Sequence, residues 1–330
     1  MAGTRDKIIL IVGGAGYLGS VLTHRLLARS RRVRVLDNML YGGQSLLGAW
    51  HHPSLEVMVG DIRHDRDVSR AVEGVSSVVH LAAIVGDPAC ASDPQLATKV
   101  NRDGAYRVCA HAVDAGVERF VFASTCSNYG RMENSDGWVD EESSLNPVSH
   151  YAKLKVELET YLLRLDSEVM QPTCLRFATA FGLSPRPRFD LTVNQFARDL
   201  ALGNSLEIYG KQFWRPYCHT IDIARAIELT LEAPVESVGH KAFNVGSNDE
   251  NYRKQDLVEK LINLLPESES LISYVQKNED PRDYRVRFDR FEAAVGFQSR
   301  VTVEAGLREI ISAVRSGVIK DPYDHRYSNS

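Results

Sequence analysis

Short apolar runs alternate with amphipathic stretches through the first half of this chain, and the changes of period locate its elements. Residues 7–12 (Lys-Ile-Ile-Leu-Ile-Val) are apolar on both faces and end at glycine, which predicts a strand buried inside a parallel sheet. A helical period follows at 20–29. Further strands are predicted at 32–37, 55–61, 75–81, 119–124 and 173–177, with helices at 93–115 and 151–165 among them. This alternation predicts an α/β fold built on a doubly wound parallel sheet. After residue 178 the pattern loosens into a Pro- and Arg-rich loop at 184–190 and a helix, then a strand at 206–209, a helix at 220–231 and a strand at 242–245. The last third reads as mainly helical, most clearly at 303–315. Residues 1–177 are therefore expected to form the main domain, with 213–247 returning to it. Residues 178–212 and 248–320 should build a smaller, mostly helical C-terminal lobe, and 321–330 a loose tail.

The first strand breaks into Gly13-Gly-Ala-Gly16-Tyr-Leu-Gly19. Glycines so spaced between a strand and a helix let the backbone approach a pyrophosphate, and the helix N-terminus offers that anion unpaired N–H groups and a positive dipole end. A Rossmann-type dinucleotide site is thus predicted at Gly13, Gly16, Tyr17, Leu18 and Gly19. Asp37 ends the next strand, close to the roughly 20-residue offset at which an acid meets the adenosine ribose hydroxyls. A carboxylate there repels a 2′-phosphate, so the expected cofactor is NAD and not NADP.

Composition narrows the class. The chain has 330 residues, of which 44% are hydrophobic and 25% charged, with a formal net charge of −4, as in an ordinary soluble protein able to bury a sizeable core. No basic patch stands out, so nucleic acid is not an expected partner. The five cysteines are odd in number and form no C-x-x-C pair, which argues against a disulfide framework or a metal site and for a reducing cytoplasm. Neither a secretion signal nor an apolar run of membrane-spanning length is visible, so no membrane association is expected.

The candidate chemistry lies at the end of the 119–124 strand and on the helix that follows. Ser124-Thr125-Cys126-Ser127 falls just past a strand's carboxyl end, where open α/β sheets present ligands. Tyr151 and Lys155 are four residues apart and share one helix face. An ammonium beside a phenol favours the phenolate, so Tyr151 is expected to have a lowered pKa and to act as a base near neutrality, with the Thr125 hydroxyl aligning the substrate oxygen. Lys153 faces elsewhere. A Tyr-x-x-x-Lys alone is ordinary helix surface; the glycine turn and the hydroxyl-rich strand end give it a catalytic meaning.

Eight markers in order carry a family resemblance: Gly13 to Gly19, Asp37-Asn38, Gly60-Asp61-Ile62, His80-Leu-Ala-Ala83, Asn101, Ser124-Thr125, Tyr151-x-x-x-Lys155 and Arg215-Pro-Tyr-Cys-His219. Over residues 7–315 the chain resembles the extended short-chain dehydrogenase/reductases, and within them the nucleotide-sugar epimerases and dehydratases. The resemblance implies that Asn38, Asp61 and Ile62 lie at the adenosine end, that Leu81, Ala82 and Ala83 line the cofactor cleft, and that Asn101, Ser124, Tyr151 and Lys155 complete the cofactor site. It makes Tyr151 the acid/base, Thr125 its partner at the sugar hydroxyl, and Arg215 the contact of the substrate's phosphates. Asn194 and, more weakly, Arg282 are implied as further nucleotide contacts. Asp87, Thr179 and Arg186 resemble sugar-facing positions of a subgroup acting on unusual sugars, nucleotide-linked heptoses included. Cys126 and Ser127 are carried as substrate contacts, although Cys126 also reads as a buried structural thiol. They stand where 4,6-dehydratases place an Asp-Glu pair, which disfavours dehydration. By the same resemblance, helices 93–115 and 151–165 imply a homodimer.

The expected function is NAD-dependent 4-epimerisation of a nucleotide-linked hexose or heptose through a transient 4-keto sugar. A 4-dehydrogenase that releases the ketone, a 4,6-dehydratase, and a non-catalytic NAD-binding regulator remain as alternatives.

Overall fold

The computed structural model describes residues 7–131, 137–276 and 282–329. Six strands come early: β1 (Ile8–Val12), β2 (Arg32–Asp37), β3 (Leu55–Val59), β4 (Val75–His80), β5 (Arg119–Thr125) and β6 (Gln171–Phe177). After β7 (Thr179–Phe181), β8 (Leu206–Tyr209) and β9 (Trp214–His219), strand β10 (Lys241–Val245) returns to pair with β6. Among the described residues these give a seven-stranded parallel sheet in the order β10-β6-β5-β4-β1-β2-β3. The order reverses between β1 and β4, and the crevice at their carboxyl ends is where doubly wound sheets bind ligands.

The near-continuous apolar strands are buried because helices cover both faces. One face packs under α1 (Tyr17–Ala28), with Leu22 and Leu26 joined by Ile223 and Ile227 from a later helix. The other packs under α2 (Asp65–Val72), where Val68, Val108 and Leu158 meet in one core. A separate core centred on Phe196, Leu261, Leu307 and Ile310 holds the C-terminal lobe together. That lobe carries strands as well as helices: β7 and β9 share a small sheet with 251–253, and β8 pairs with 272–275.

Two expectations are corrected. The helix read at 93–115 is three pieces: after α3 (Asp87–Ser92) come α4 (Pro94–Thr98), a π turn at Lys99–Gly104, and α5 (Ala105–Asp114). A Cβ on Gly104 would lie 2.8 Å from the Ile62 side chain, so glycine admits the close approach of this turn to the loop after β3. The π turn also directs the buried Asn101 at the loop after β4, where its amide accepts from Ile84 N at 2.7 Å and donates to Ile84 O at 2.9 Å. The second correction concerns 321–330. Residues 321–329 are packed, not loose: Phe189 N donates to Tyr327 O at 2.8 Å, and the Tyr327 ring meets Phe189 edge-on.

Candidate active site

The turn after β1 fits a dinucleotide. Gly13 has φ +89°, and a Cβ there would lie 2.7 Å from Ala82 N; a Cβ on Gly19 would strike the Gly13 carbonyl oxygen. These two glycines let the turn, α1 and the loop after β4 close on one another. Gly16 differs, because a Cβ on it would meet only Gly13 O, at 3.4 Å. It caps α1 without a side-chain hydrogen bond, leaving the helix's first N–H groups and dipole open to an anion. Tyr17 donates its hydroxyl to Gly182 O at 2.7 Å, tying the turn to the C-terminal half of the chain.

At the end of β2, the two Asp37 carboxylate oxygens accept from Ala15 N and Met39 N, each at 2.9 Å. Burial nevertheless raises its pKa above the usual carboxylate value. Asn38 bridges to Asp61 at 3.4 Å, and hydrogen bonding from Arg63 holds the Asp61 carboxyl down at about 2. Gly13, Gly16, Tyr17, Leu18, Gly19, Asp37, Asn38, Asp61, Ile62 and Leu81 to Ala83 all face one cleft of about 400 Å³. Ser124, Thr125, Tyr151 and Lys155 face it too, with Asp87, Ser127, Thr179, Arg186, Arg215 and Arg282.

The catalytic candidates come from β5 and from α6 (His150–Leu163), whose N-terminus is capped by the Ser149 hydroxyl accepting from Ala152 N at 3.2 Å. Thr125 Oγ1 accepts from Ser127 N at 3.1 Å, which fixes its rotamer and leaves its proton for a ligand. Lys155 is buried and donates to Ala123 O at 2.7 Å, with its ammonium 5.7 Å from the centre of the Tyr151 ring. Lys153 is exposed. The expected acidification of Tyr151 by Lys155 is corrected. Burial pushes the phenol well above its ordinary value, and the cation that pulls it back is Arg188, opposed by Cys90 and Asp87. Lys155 points at a strand-end carbonyl, and burial lowers its own pKa from 10.5 to about 8.

The lowered lysine gives a pH signature. Between about 8 and its unfolded value the unfolded chain binds a proton that the folded one has lost. Apoprotein stability is therefore expected to rise with pH across that window, relative to a Lys155→Met variant. Urea unfolding at about pH 7.5 and 9.5 checks this, and a difference between the two proteins that stays flat contradicts the burial of charge.

Three predicted residues lie behind the walls. Cys126 is 1% exposed and its thiol donates to Arg176 O at 3.2 Å, so burial raises its pKa and it is not a substrate contact. Asn194, also 1% exposed, uses its amide on Gly182 N, Gly182 O, Arg188 O and Tyr17 Oη, which pins the 182–188 loop against the glycine turn. Asn101 shapes the cofactor-side loop through Ile84 without facing the cleft. Arg186, expected near the sugar, stacks on Tyr41 and acts on Asp37 at the end of β2. Ser124 lines the cleft, but its hydroxyl donates to Glu159 at 2.5 Å and is not spare.

Sequence reasoning missed Arg188, Tyr284, Asn329 and Glu159. Tyr284 meets the Ser127 hydroxyl at 3.3 Å, and its ring lies 5.2 Å from the Arg215 guanidinium. Asp87 pairs with Arg282 at 2.9 Å across the cleft. Glu159 is legible after the fact: it follows Tyr151 and Lys155 at the same four-residue interval, on the same helix face.

The family described as NAD dependent epimerase/dehydratase matches residues 9–246. Over 310 residues the chain is 27% identical to the low-salt glycan biosynthesis protein Agl12 of Haloferax volcanii, covering 92% of this chain and 97% of that one. It is 27% identical over 259 residues to a UDP-glucose 4-epimerase of Lacticaseibacillus casei, covering 72% and 76%. The fold superposes with a TM-score of 0.82 on the dTDP-glucose 4,6-dehydratase DesIV of Streptomyces venezuelae, solved with NAD bound, at 26% identity over 94% and 97% of the two chains. With its glycine turn shaped for a dinucleotide and a family match over residues 9–246, this chain belongs to the NAD dependent epimerase/dehydratase family, and its cofactor is NAD.

Proposed function

We propose that the protein is a nucleotide-sugar 4-epimerase acting on a nucleotide-linked hexose or heptose. The observation that carries this reading is that Thr125, Tyr151 and Lys155 open into the same cleft as the glycine turn, with Arg215 and the Asp87–Arg282 pair opposite. Bound NAD supplies the acceptor for the C4 hydrogen and, when oxidised, a positive charge that favours the phenolate. Tyr151 takes the proton of the C4 hydroxyl as the C4 hydrogen leaves with its electron pair, and gives the proton back once that hydrogen has returned to the other face of the 4-keto sugar. Arg188, ion-paired with Asp190, is one charge that favours the phenolate against the burial that opposes it. Thr125 aligns the sugar oxygen. Arg215 anchors the diphosphate while the ketone turns, so binding energy at a remote group serves the reacting centre.

Epimerisation is favoured over dehydration because the residues after Thr125 supply no acid/base pair. Cys126 faces inward, and the Ser127 hydroxyl is shared with Tyr284. The likeness to UDP-glucose 4-epimerases supports an epimerase, and the comparable likeness to a 4,6-dehydratase leaves that choice to the residues after Thr125. A homodimer through α5 and α6 fits the half-exposed Tyr161 and Val113 on those helices. Among the described residues no helix is long and apolar enough to cross a membrane.

A sugar nucleotide deuterated at C4 tests the reaction. Epimerisation returns inverted product that keeps its deuterium, with no net reduction of NAD. Released ketone with accumulating NADH assigns the dehydrogenase instead.

A further inference from the structure

The adenosine end of the cleft is closed by residues far from the glycine turn in sequence. Arg186 is 5% exposed; its guanidinium carbon lies 3.9 Å from the centre of the Tyr41 ring, and its charge lowers the pKa of Asp37 against the effect of burial. Its Nη1 donates to Asn329 Oδ1 at 2.7 Å and its Nη2 to Ser328 O at 3.0 Å. Asn329 is itself held, its N–H donating to Asp190 Oδ2 at 3.3 Å, and it lines the cleft. One of its three nitrogens is left without a partner. The Nε–H of Arg186 is buried with no partner among the described residues. A guanidinium N–H withheld from water without an acceptor is costly, and buried polar groups of this kind are otherwise almost always paired.

We propose that Arg186 and Asn329 complete the adenosine-ribose subsite, and that the Arg186 Nε–H donates to a ribose hydroxyl of NAD. The chemistry is complementary on both sides. A ribose hydroxyl is donor and acceptor at once, so it can give its proton to Asp37 and accept one from Arg186. Ser328 and Asn329 hold both terminal nitrogens of the guanidinium, and Tyr41 covers its face, so Nε is fixed in one direction. The segment read from sequence as a tail is, on this account, the outer wall of the cofactor site. The proposal depends on the NAD site alone and not on which sugar reaction follows.

The test uses the full chain, stripped of cofactor, with Arg186→Met to remove the donors at similar volume and Asn329→Ala to release the guanidinium. Dissociation constants for NAD and for ADP-ribose are measured by calorimetry, with the melting temperature of the apoprotein taken alongside. Arg186→Met is expected to weaken both ligands by about tenfold or more, the value of a charge-assisted hydrogen bond. Asn329→Ala should weaken both by a smaller factor while the apoprotein melts as before. Constants within twofold of the parent for both ligands in Asn329→Ala, or in a folded Arg186→Met, overturn the proposal. If Arg186→Met does not fold, Asn329→Ala decides alone.

Discussion

Tyr151→Phe is expected to lower turnover by about 10²- to 10⁴-fold, the range for removing a positioned acid/base. Phenylalanine keeps the ring that packs with Ile84, Leu154 and Cys90, so the fold and NAD affinity should survive. Thr125 stays in place because its rotamer depends on Ser127 N and not on the phenol. The loss should therefore fall on kcat with little change in KM, because the proton moves only in the reacting complex. Stopped-flow absorbance of the bound nicotinamide on mixing with a nucleotide sugar separates the chemical step from release. Turnover within tenfold of the parent would remove Tyr151 from the reaction. Lys155→Met should act differently, because the ammonium is bonded to Ala123 O. It removes the donor to Ala123 O and the ammonium 5.7 Å from the Tyr151 ring, and NAD affinity should fall together with rate.

What could be read in the sequence was what short-range pattern encodes. The apolar run of β1, the three glycines and Asp37 lie within one βαβ unit, so their spacing reports a backbone shape directly. Tyr151 and Lys155 share a face because a helix repeats every 3.6 residues. The unread parts are pairings across large sequence distances. Asn194 carries an amide that suits a nucleotide, yet its partner Tyr17 stands 177 positions away and commits it to structure. Arg186 lies in a Pro- and Arg-rich loop with no period, and its place beside Asp37 is set by Asn329, 143 positions on. The break at Lys99–Gly104 left no mark except Gly104, because a π turn keeps the helical period on either side. The phenol's acidity is illegible for a different reason. Spacing says which side chains are neighbours, but not which atom an ammonium reaches, nor how much water burial removes.

Glu159→Ala is expected to destabilise the protein by about 3–5 kcal/mol, the cost of stranding the other half of a buried ion pair. Glu159 is 1% exposed and Arg176 5%. The carboxylate accepts from Arg176 Nε at 3.0 Å and Nη2 at 2.6 Å, from Ser124 Oγ at 2.5 Å and from Asn128 Nδ2 at 3.5 Å. Arg176 continues to Tyr129 Oη at 2.9 Å, which donates to Asn244 Oδ1 at 2.8 Å, so one chain of polar contacts runs from α6 through β6 to β10. Removing the carboxylate leaves a guanidinium and a hydroxyl short of acceptors together. Urea unfolding measures the loss, and a shift below about 1 kcal/mol would show that water or a rearranged Arg176 replaces the carboxylate. Glu159→Leu combined with Arg176→Met should recover most of it, because neither charge then remains buried alone. Activity should not follow stability in that double variant. Ser124 and Asn128 flank Thr125 at the end of β5, and without the carboxylate nothing else described holds the Ser124 hydroxyl except Asn128. A recovered melting temperature with a depressed kcat would assign Glu159 as a positioning residue for the threonine, whereas recovery of both would make it purely structural.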